Sequence, residues 1–185
     1  TVSAQRERLG DCARCAAWLR LYLKALGFDV EVCPGEGPPI LLAERAAAAA
    51  GAPAVLFYGH YDVQPADPPE QWRRPPFEPE LREDRVYARG AQDNKGQFFA
   101  FLEGMTALIR AGRPLPAVRI VLDGEEESGS PTLQARLPRW RRRLAADVLL
   151  VCDTGMHPSG RPAITAGLRG IVHLSVRLEG PRRDL

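Results

Sequence analysis

Ala54-Val55-Leu56-Phe57-Tyr58-Gly59-His60-Tyr61-Asp62 is a short unbroken apolar run that gives way at once to an imidazole and a carboxylate. An apolar run of this length with no polar alternation predicts a strand buried on both faces, as in parallel sheets. The same arrangement recurs twice. Val118 to Leu122 leads into Asp123-Gly124-Glu125-Glu126-Glu127-Ser128-Gly129, and Asp147 to Cys152 leads into Asp153. Between the first two runs, Gln97 to Arg110 carries Phe98, Phe101, Leu102, Met105, Leu108 and Ile109 at steps of three and four, the spacing of an amphipathic helix that Gly112 ends. Pro131 to Leu144 reads as a second helix despite Pro138. The order strand, helix, strand, helix, strand predicts an α/β fold with a mainly parallel central sheet flanked by helices.

Outward from this centre the patterns are of ordinary kinds. Within Val2 to Leu26, apolar positions at Cys12, Cys15, Ala16, Leu19, Leu23 and Leu26 predict a helix stopped by Gly27. Phe28 to Cys33 and Pro39 to Ala43 read as strands, and the proline-dense segment Pro65 to Arg85 as loop. Gly170 to Leu178 alternates apolar and polar residues, predicting an antiparallel strand with one exposed face. No internal repeat is present.

Composition narrows the function classes. The 185 residues carry 25 basic and 23 acidic side chains, a net charge of +2, and lack the basic stripe that a nucleic-acid backbone demands. Arg139-Trp140-Arg141-Arg142-Arg143 is one basic helix turn and reads as a solvated face, so no nucleic-acid partner is expected. The longest apolar stretch, Ala46 to Tyr58, is broken by Gly51 and Pro53 and falls short of the roughly 20 residues that span a bilayer, so no membrane partner is expected either. With 45% apolar and 26% charged residues the chain is not of a disordered kind. Four cysteines are too sparse for a disulfide framework, which points to a reducing, cytoplasmic setting. Cys12 and Cys15 have metal-ligand spacing but no second pair, and read as two positions on one helix face.

Open parallel sheets place their sites at the carboxyl ends of their strands. His60, Asp62, the triplet Glu125 to Glu127 and Asp153 all follow such ends, and Asp93 precedes the amphipathic helix on the same edge. Taken singly, each has an ordinary reading: a structural histidine, turn aspartates, a solvated acidic loop, a helix cap. Their shared placement is what argues for a ligand set. One imidazole with several carboxylates and no thiolate suits zinc, manganese or cobalt. In an extended segment His60 and Asp62 point to the same side, so Asp62 can hold the ring nitrogen that is not on a metal. Neighbouring carboxylates in the triplet point different ways, leaving one to coordinate and one to handle a proton.

Four motifs carry a resemblance: Gly59-His60-Tyr61-Asp62-Val63-Gln64-Pro65, Arg89-Gly90-Ala91-Gln92-Asp93-Asn94-Lys95-Gly96, Glu126-Glu127-Ser128-Gly129-Ser130 and Gly167-Leu168-Arg169-Gly170. In this order they resemble the M20 metallopeptidases, and within them the branch of the cytosolic nonspecific dipeptidase and carnosinase. Trp72 with Pro75-Pro76-Phe77 fits that branch. The resemblance implies a zinc-exopeptidase-like catalytic domain with two divalent metal ions, zinc foremost, manganese or cobalt as alternatives. It makes His60 and Asp153 ligands of one metal, Asp93 the bridging carboxylate with a cis bond to Asn94, and Glu127 a ligand of the second. Glu126 becomes the general base and Asp62 the partner of His60. The register within the triplet rests on Ser128-Gly129-Ser130, and a shift by one residue is the alternative.

The implied reaction is hydrolysis of an amide bond in a dipeptide or short peptide. N-acyl amino acid deacylation and a non-catalytic metal-binding remnant are the alternatives. The resemblance further implies that residues 1–166 are the N-terminal part of the catalytic domain and 167–185 the beginning of a lid domain through which the full-length protein forms a homodimer. Two histidines of the family pattern fall beyond Leu185, and His157 and His173 are poor substitutes. The 185 residues alone are therefore expected to be a weak catalyst or none.

Overall fold

The computed structural model describes residues 1–66, 68–157 and 159–180. They divide into two units, Thr1–Asp153 and Thr154–Leu185. The first holds α1 (Leu9–Ala25), β1 (Asp29–Cys33), β2 (Ile40–Arg45), β3 (Ala54–His60), β4 (Glu80–Arg82), β5 (Arg85–Tyr87), α2 (Lys95–Arg110), β6 (Ala117–Asp123), α3 (Pro131–Trp140) and β7 (Val148–Val151).

Five strands form one sheet in the order β1-β2-β6-β3-β7. β3 runs parallel to β6 from Ala54↔Ala117 to His60↔Asp123, and parallel to β7 from Val55↔Val148 to Tyr58↔Val151. The predicted parallel core is therefore present, with its three carboxyl ends side by side. β2 and β1 extend it as an antiparallel pair beyond β6.

Period-two alternation divides the buried side chains between two faces. Leu41, Ala43, Ile120 and Leu122 pack with Cys12, Ala16, Leu19 and Leu23 of α1 and Phe98, Leu102 and Met105 of α2. Ile40, Leu42 and Val121 point the other way and pack with Leu133 and Trp140 of α3. An ion-pair cluster joins the same layer to the sheet. Arg143 of the basic run pairs with Glu44 of β2 at 2.6 Å and Glu31 of β1 at 2.5 Å.

Four expectations need correction. The first helix begins at Leu9; Val2 instead forms a parallel bridge to Val63 and is buried. The segment Pro65 to Arg85 is not all loop. β4 and β5 pair as a hairpin whose turn residues Glu83 and Asp84 both have positive φ, +50° and +58°. Such turns usually announce themselves with Asn-Gly, and Glu-Asp hides the signal. The third strand is not buried on both faces. β7 is the edge, and Val148, Leu149, Leu150 and Val151 are all exposed. Lastly, Gly170 to Leu178 forms no strand among the described residues, and its apolar side chains Ile171, Val172, Leu174, Val176 and Leu178 lie open to solvent. An alternating pattern yields a strand only where a partner accepts its hydrogen bonds. Residues 181–185, the last of the expected lid segment, lie outside the described residues.

The core and edge strands predict contrasting responses to the same truncation. Leu122→Ala, at a fully buried position, should cost about 2–5 kcal/mol. Leu149→Ala, at 62% exposure, should stay within about 0.5 kcal/mol. Urea unfolding of the two variants checks both.

Candidate metal centre

His60 is the last residue of β3, and its side chain is 1% exposed. Its Nε2 faces three carboxylates that arrive from three different elements. Asp93 Oδ1, from the loop before α2, lies 3.0 Å away; Asp153 Oδ2, just past β7, 3.5 Å; and Glu126 Oε2, in a 3-10 turn after β6, 3.8 Å. One ligand atom each from His60, Asp93 and Asp153 all fall within 4.8 Å of one another, as do those of His60, Glu126 and Glu127. The parallel register delivers this convergence, because it stops β3, β6 and β7 at one level.

The other ring nitrogen fixes the tautomer. Nδ1 faces the backbone oxygen of Asp62 at 3.2 Å and its carboxylate Oδ1 at 3.3 Å. Both are acceptors, so Nδ1 carries a proton and Nε2 is turned toward the carboxylates, with a lone pair there whenever the ring is neutral. That Nε2 is buried without a hydrogen-bond partner. A lone pair aimed at several negative oxygens is repulsive until a cation stands between them. Either a proton or a metal ion meets the need, and nitrogen with carboxylate oxygens is a donor set for a divalent transition metal. Burial opposes charging the ring, but the hydrogen bond to Asp62 and the charges of Asp62, Glu126 and Asp153 outweigh it and push the imidazolium pKa up to about 9. For Glu126, burial pushes the carboxyl pKa up. Glu127, Asp153 and Asp62 add to that, and His60 pulls against it.

The three acids of the triplet part company. Glu125 is buried, and its Oε2 accepts the backbone N–H of Thr132 at 3.0 Å, a carboxylate set against the first turn of α3. Glu126 and Glu127 turn to the centre instead. Asp123 also stays structural, fully buried and accepting Glu125 N–H at 3.0 Å and the Tyr58 hydroxyl at 3.4 Å. Asp62 is fully buried as well. Its Oδ1 accepts Glu126 N–H at 3.2 Å and its Oδ2 accepts Glu127 N–H at 3.1 Å, so one carboxylate holds both His60 and the turn bearing the two glutamates.

Two residues of the quoted motifs do more than the sequence suggested. Asn94 is fully buried and follows Asp93 through a cis peptide bond. Its Oδ1 accepts His60 N–H at 3.1 Å, while its Nδ2 donates to Cys152 O at 2.9 Å and Asp153 Oδ1 at 3.1 Å. It thereby ties together the ends of β3 and β7 and the start of α2. Gly59 leaves room for it, since a Cβ there would lie 2.8 Å from Asn94 Oδ1. Gln64 donates to Glu127 Oε2 at 2.6 Å. The signal for both was adjacency to a ligand, but an amide in a loop has many ordinary uses. His157 and His173 both belong to the second unit, Thr154–Leu185, where His157 Nδ1 lies 2.7 Å from Ser159 Oγ.

Two outcomes follow for the metal-free chain. The folded pKa of His60 lies above the unfolded value of 6.5, so its protonation stabilises the fold fully below pH 6.5 and that contribution disappears as pH rises through about 9. Thermal unfolding of wild type and His60→Asn in chelator, from pH 6 to 10, should show the wild-type advantage shrinking across that window. Asn94→Ala strips the buried His60 N–H of its acceptor and should cost about 1–3 kcal/mol by urea unfolding.

Comparison with known proteins agrees with this architecture. The family model described as peptidase family M20/M25/M40 matches residues 56–181. A cysteinylglycine-S-conjugate dipeptidase of Corynebacterium striatum is 34% identical over 90% of this chain and 37% of its own length. A beta-Ala-His dipeptidase of Rattus norvegicus is 33% identical over 80% of the chain and 30% of its own length. Among solved structures, an M20 family metallo-carboxypeptidase from Sulfolobus solfataricus superposes with a TM-score of 0.77 at 34% identity, over 87% of this chain and 36% of that one. The chain thus spans about a third of the length of these relatives. Matched in sequence across most of its residues and in fold across the sheet that carries His60, the chain belongs to peptidase family M20/M25/M40.

Proposed function

We propose that the chain is the N-terminal part of a metal-dependent hydrolase that cleaves the amide bond of dipeptides or short peptides. The observation that carries this reading is the buried, unpartnered Nε2 of His60 among Asp93, Asp153 and Glu126. The dipeptidase relatives support the substrate class.

In this reading His60, Asp153 and Asp93 would hold one divalent ion, zinc foremost, and Glu127, with Asp93, a second. Bound there, the ions supply Lewis acidity toward the scissile carbonyl and toward a water. The protein's own groups do the rest. Asp62 keeps the proton on Nδ1 of His60 and so keeps Nε2 available as a ligand. Gln64 steadies the Glu127 carboxylate. Glu126 takes a proton as water attacks and returns it to the leaving amine. Its raised pKa suits a base that must also act as an acid. Asp93 is 63% and Asp153 28% exposed, so a substrate can approach over the same rim on which the imidazole is sealed. Residues 1–166 belong, in this proposal, to the catalytic domain and 167–185 to the start of a lid through which two copies pair, in the cytoplasm.

Metal uptake by these 185 residues and hydrolysis by the chain extended through the rest of its reading frame test the proposal. Chelation should abolish turnover of a dipeptide panel, and zinc, manganese or cobalt should restore it. Glu126→Gln should lower kcat about 10²–10⁴-fold while bound metal per chain stays unchanged. Turnover of N-acyl amino acids in place of dipeptides would move the assignment to a deacylase. Turnover that survives Glu126→Gln would remove Glu126 from the role.

A further inference from the structure

The Asp62 carboxylate has one more partner, from the far end of the sequence. Ser3 Oγ donates to Asp62 Oδ2 at 2.6 Å, the length of a hydroxyl bonded to an ionised carboxylate. The same Oγ lies 2.7 Å from Ser128 Oγ. Ser3 has a single hydroxyl proton and Asp62 can only accept, so that proton is committed to Asp62. Ser128 must then donate to Ser3. The two hydroxyls form a directed relay, Ser128 to Ser3 to Asp62, that joins the turn bearing Glu126 and Glu127 to the carboxylate beneath His60.

Ser3 is not there by chance of a loose terminus. Val2 is 1% exposed and bridges Val63 in parallel register, and Val63 N–H donates to Thr1 O at 3.0 Å. Lys95 Nζ donates to Thr1 Oγ1 at 2.7 Å. Three consecutive residues are therefore seated on the loop that follows β3, and the third delivers its hydroxyl to the buried acid.

We propose that Ser3 is a positioning residue of the metal centre, acting through Asp62 to hold the Nε2 of His60 in ligand orientation. The proposal rests on the metal-centre reading above. Without the hydroxyl, Asp62 keeps the N–H groups of Glu126 and Glu127 as donors and loses the shortest of the contacts that hold its carboxylate against His60. Loss of the direct outer partner of a metal-ligating histidine, here Asp62, typically weakens metal binding 10–100-fold, and Ser3, one bond further out, should act at the low end of that range.

Ser3→Thr and Ser3→Val have nearly the same shape and differ in the hydroxyl, so zinc affinity of the two, by competition with a chelating indicator, carries the test. Thr should bind zinc within threefold of wild type and Val at least tenfold more weakly, although both keep the wild-type circular dichroism spectrum. Equal affinity of the two variants overturns the proposal. In the unaltered chain the bond is read directly as a slowly exchanging Ser3 hydroxyl proton in NMR spectra, and its absence overturns the proposal even if the Val variant fails to fold. A wild-type chain that takes up no zinc defeats the metal-centre reading itself, a different failure from zinc binding that ignores position 3.

Discussion

A carboxylate with no exposure to water must be met on all sides by donors, and Asp62 is such a group. Its donors are the Nδ1 of His60, the N–H groups of Glu126 and Glu127, and the hydroxyl of Ser3. Satisfying this one anion therefore orients the imidazole, sets the turn that follows β6, and pins the N-terminal residues against the loop after β3. Each partner is itself a part of the rim or touches one. The centre is assembled by the need to solvate a buried charge from within.

A second constraint acts from the opposite side of the ring. Nε2 has no hydrogen-bond partner, and carboxylate oxygens of Asp93, Asp153 and Glu126 stand within 4 Å of it. The sheet sets this excess negative charge at the strand ends, where parallel register halts β3, β6 and β7 together, while Asn94 and Gly59 let the backbone before α2 close on that edge. The fold accordingly holds a cluster of like charge that a proton on the ring or a metal ion would relieve. That is the property expected of a ligand site and is costly for a merely structural one.

The sequence was most informative where burial decides and least where context does. Unbroken apolar runs located β3, β6 and β7, and the acids directly behind them located the rim, because the carboxyl end of a parallel strand is a fixed place. Burial of β7 is not legible because Val148 to Val151 looks the same whether a strand is central or at an edge. The β4–β5 hairpin carries no sequence signal because Glu83 and Asp84 adopt positive φ without the glycine usual in such turns. Asn94, Gln64 and Ser3 were illegible as positioning groups for a related reason. Short polar side chains are common in loops, and only the distances to Asp153, Glu127 and Asp62 distinguish these three. The different fates of Glu125 and its two neighbours likewise depend on where α3 begins, which no local pattern states.

The exposed flank of β7 has a bearing on how the polypeptide behaves in solution. No strand pairs with its outer side among the described residues, and the row of side chains along that edge is two valines and two leucines. Such an edge is a template for another extended backbone, and nothing charged within it discourages a second molecule from docking. A lysine introduced along that flank would blunt the template and is a rational route to a well-behaved sample.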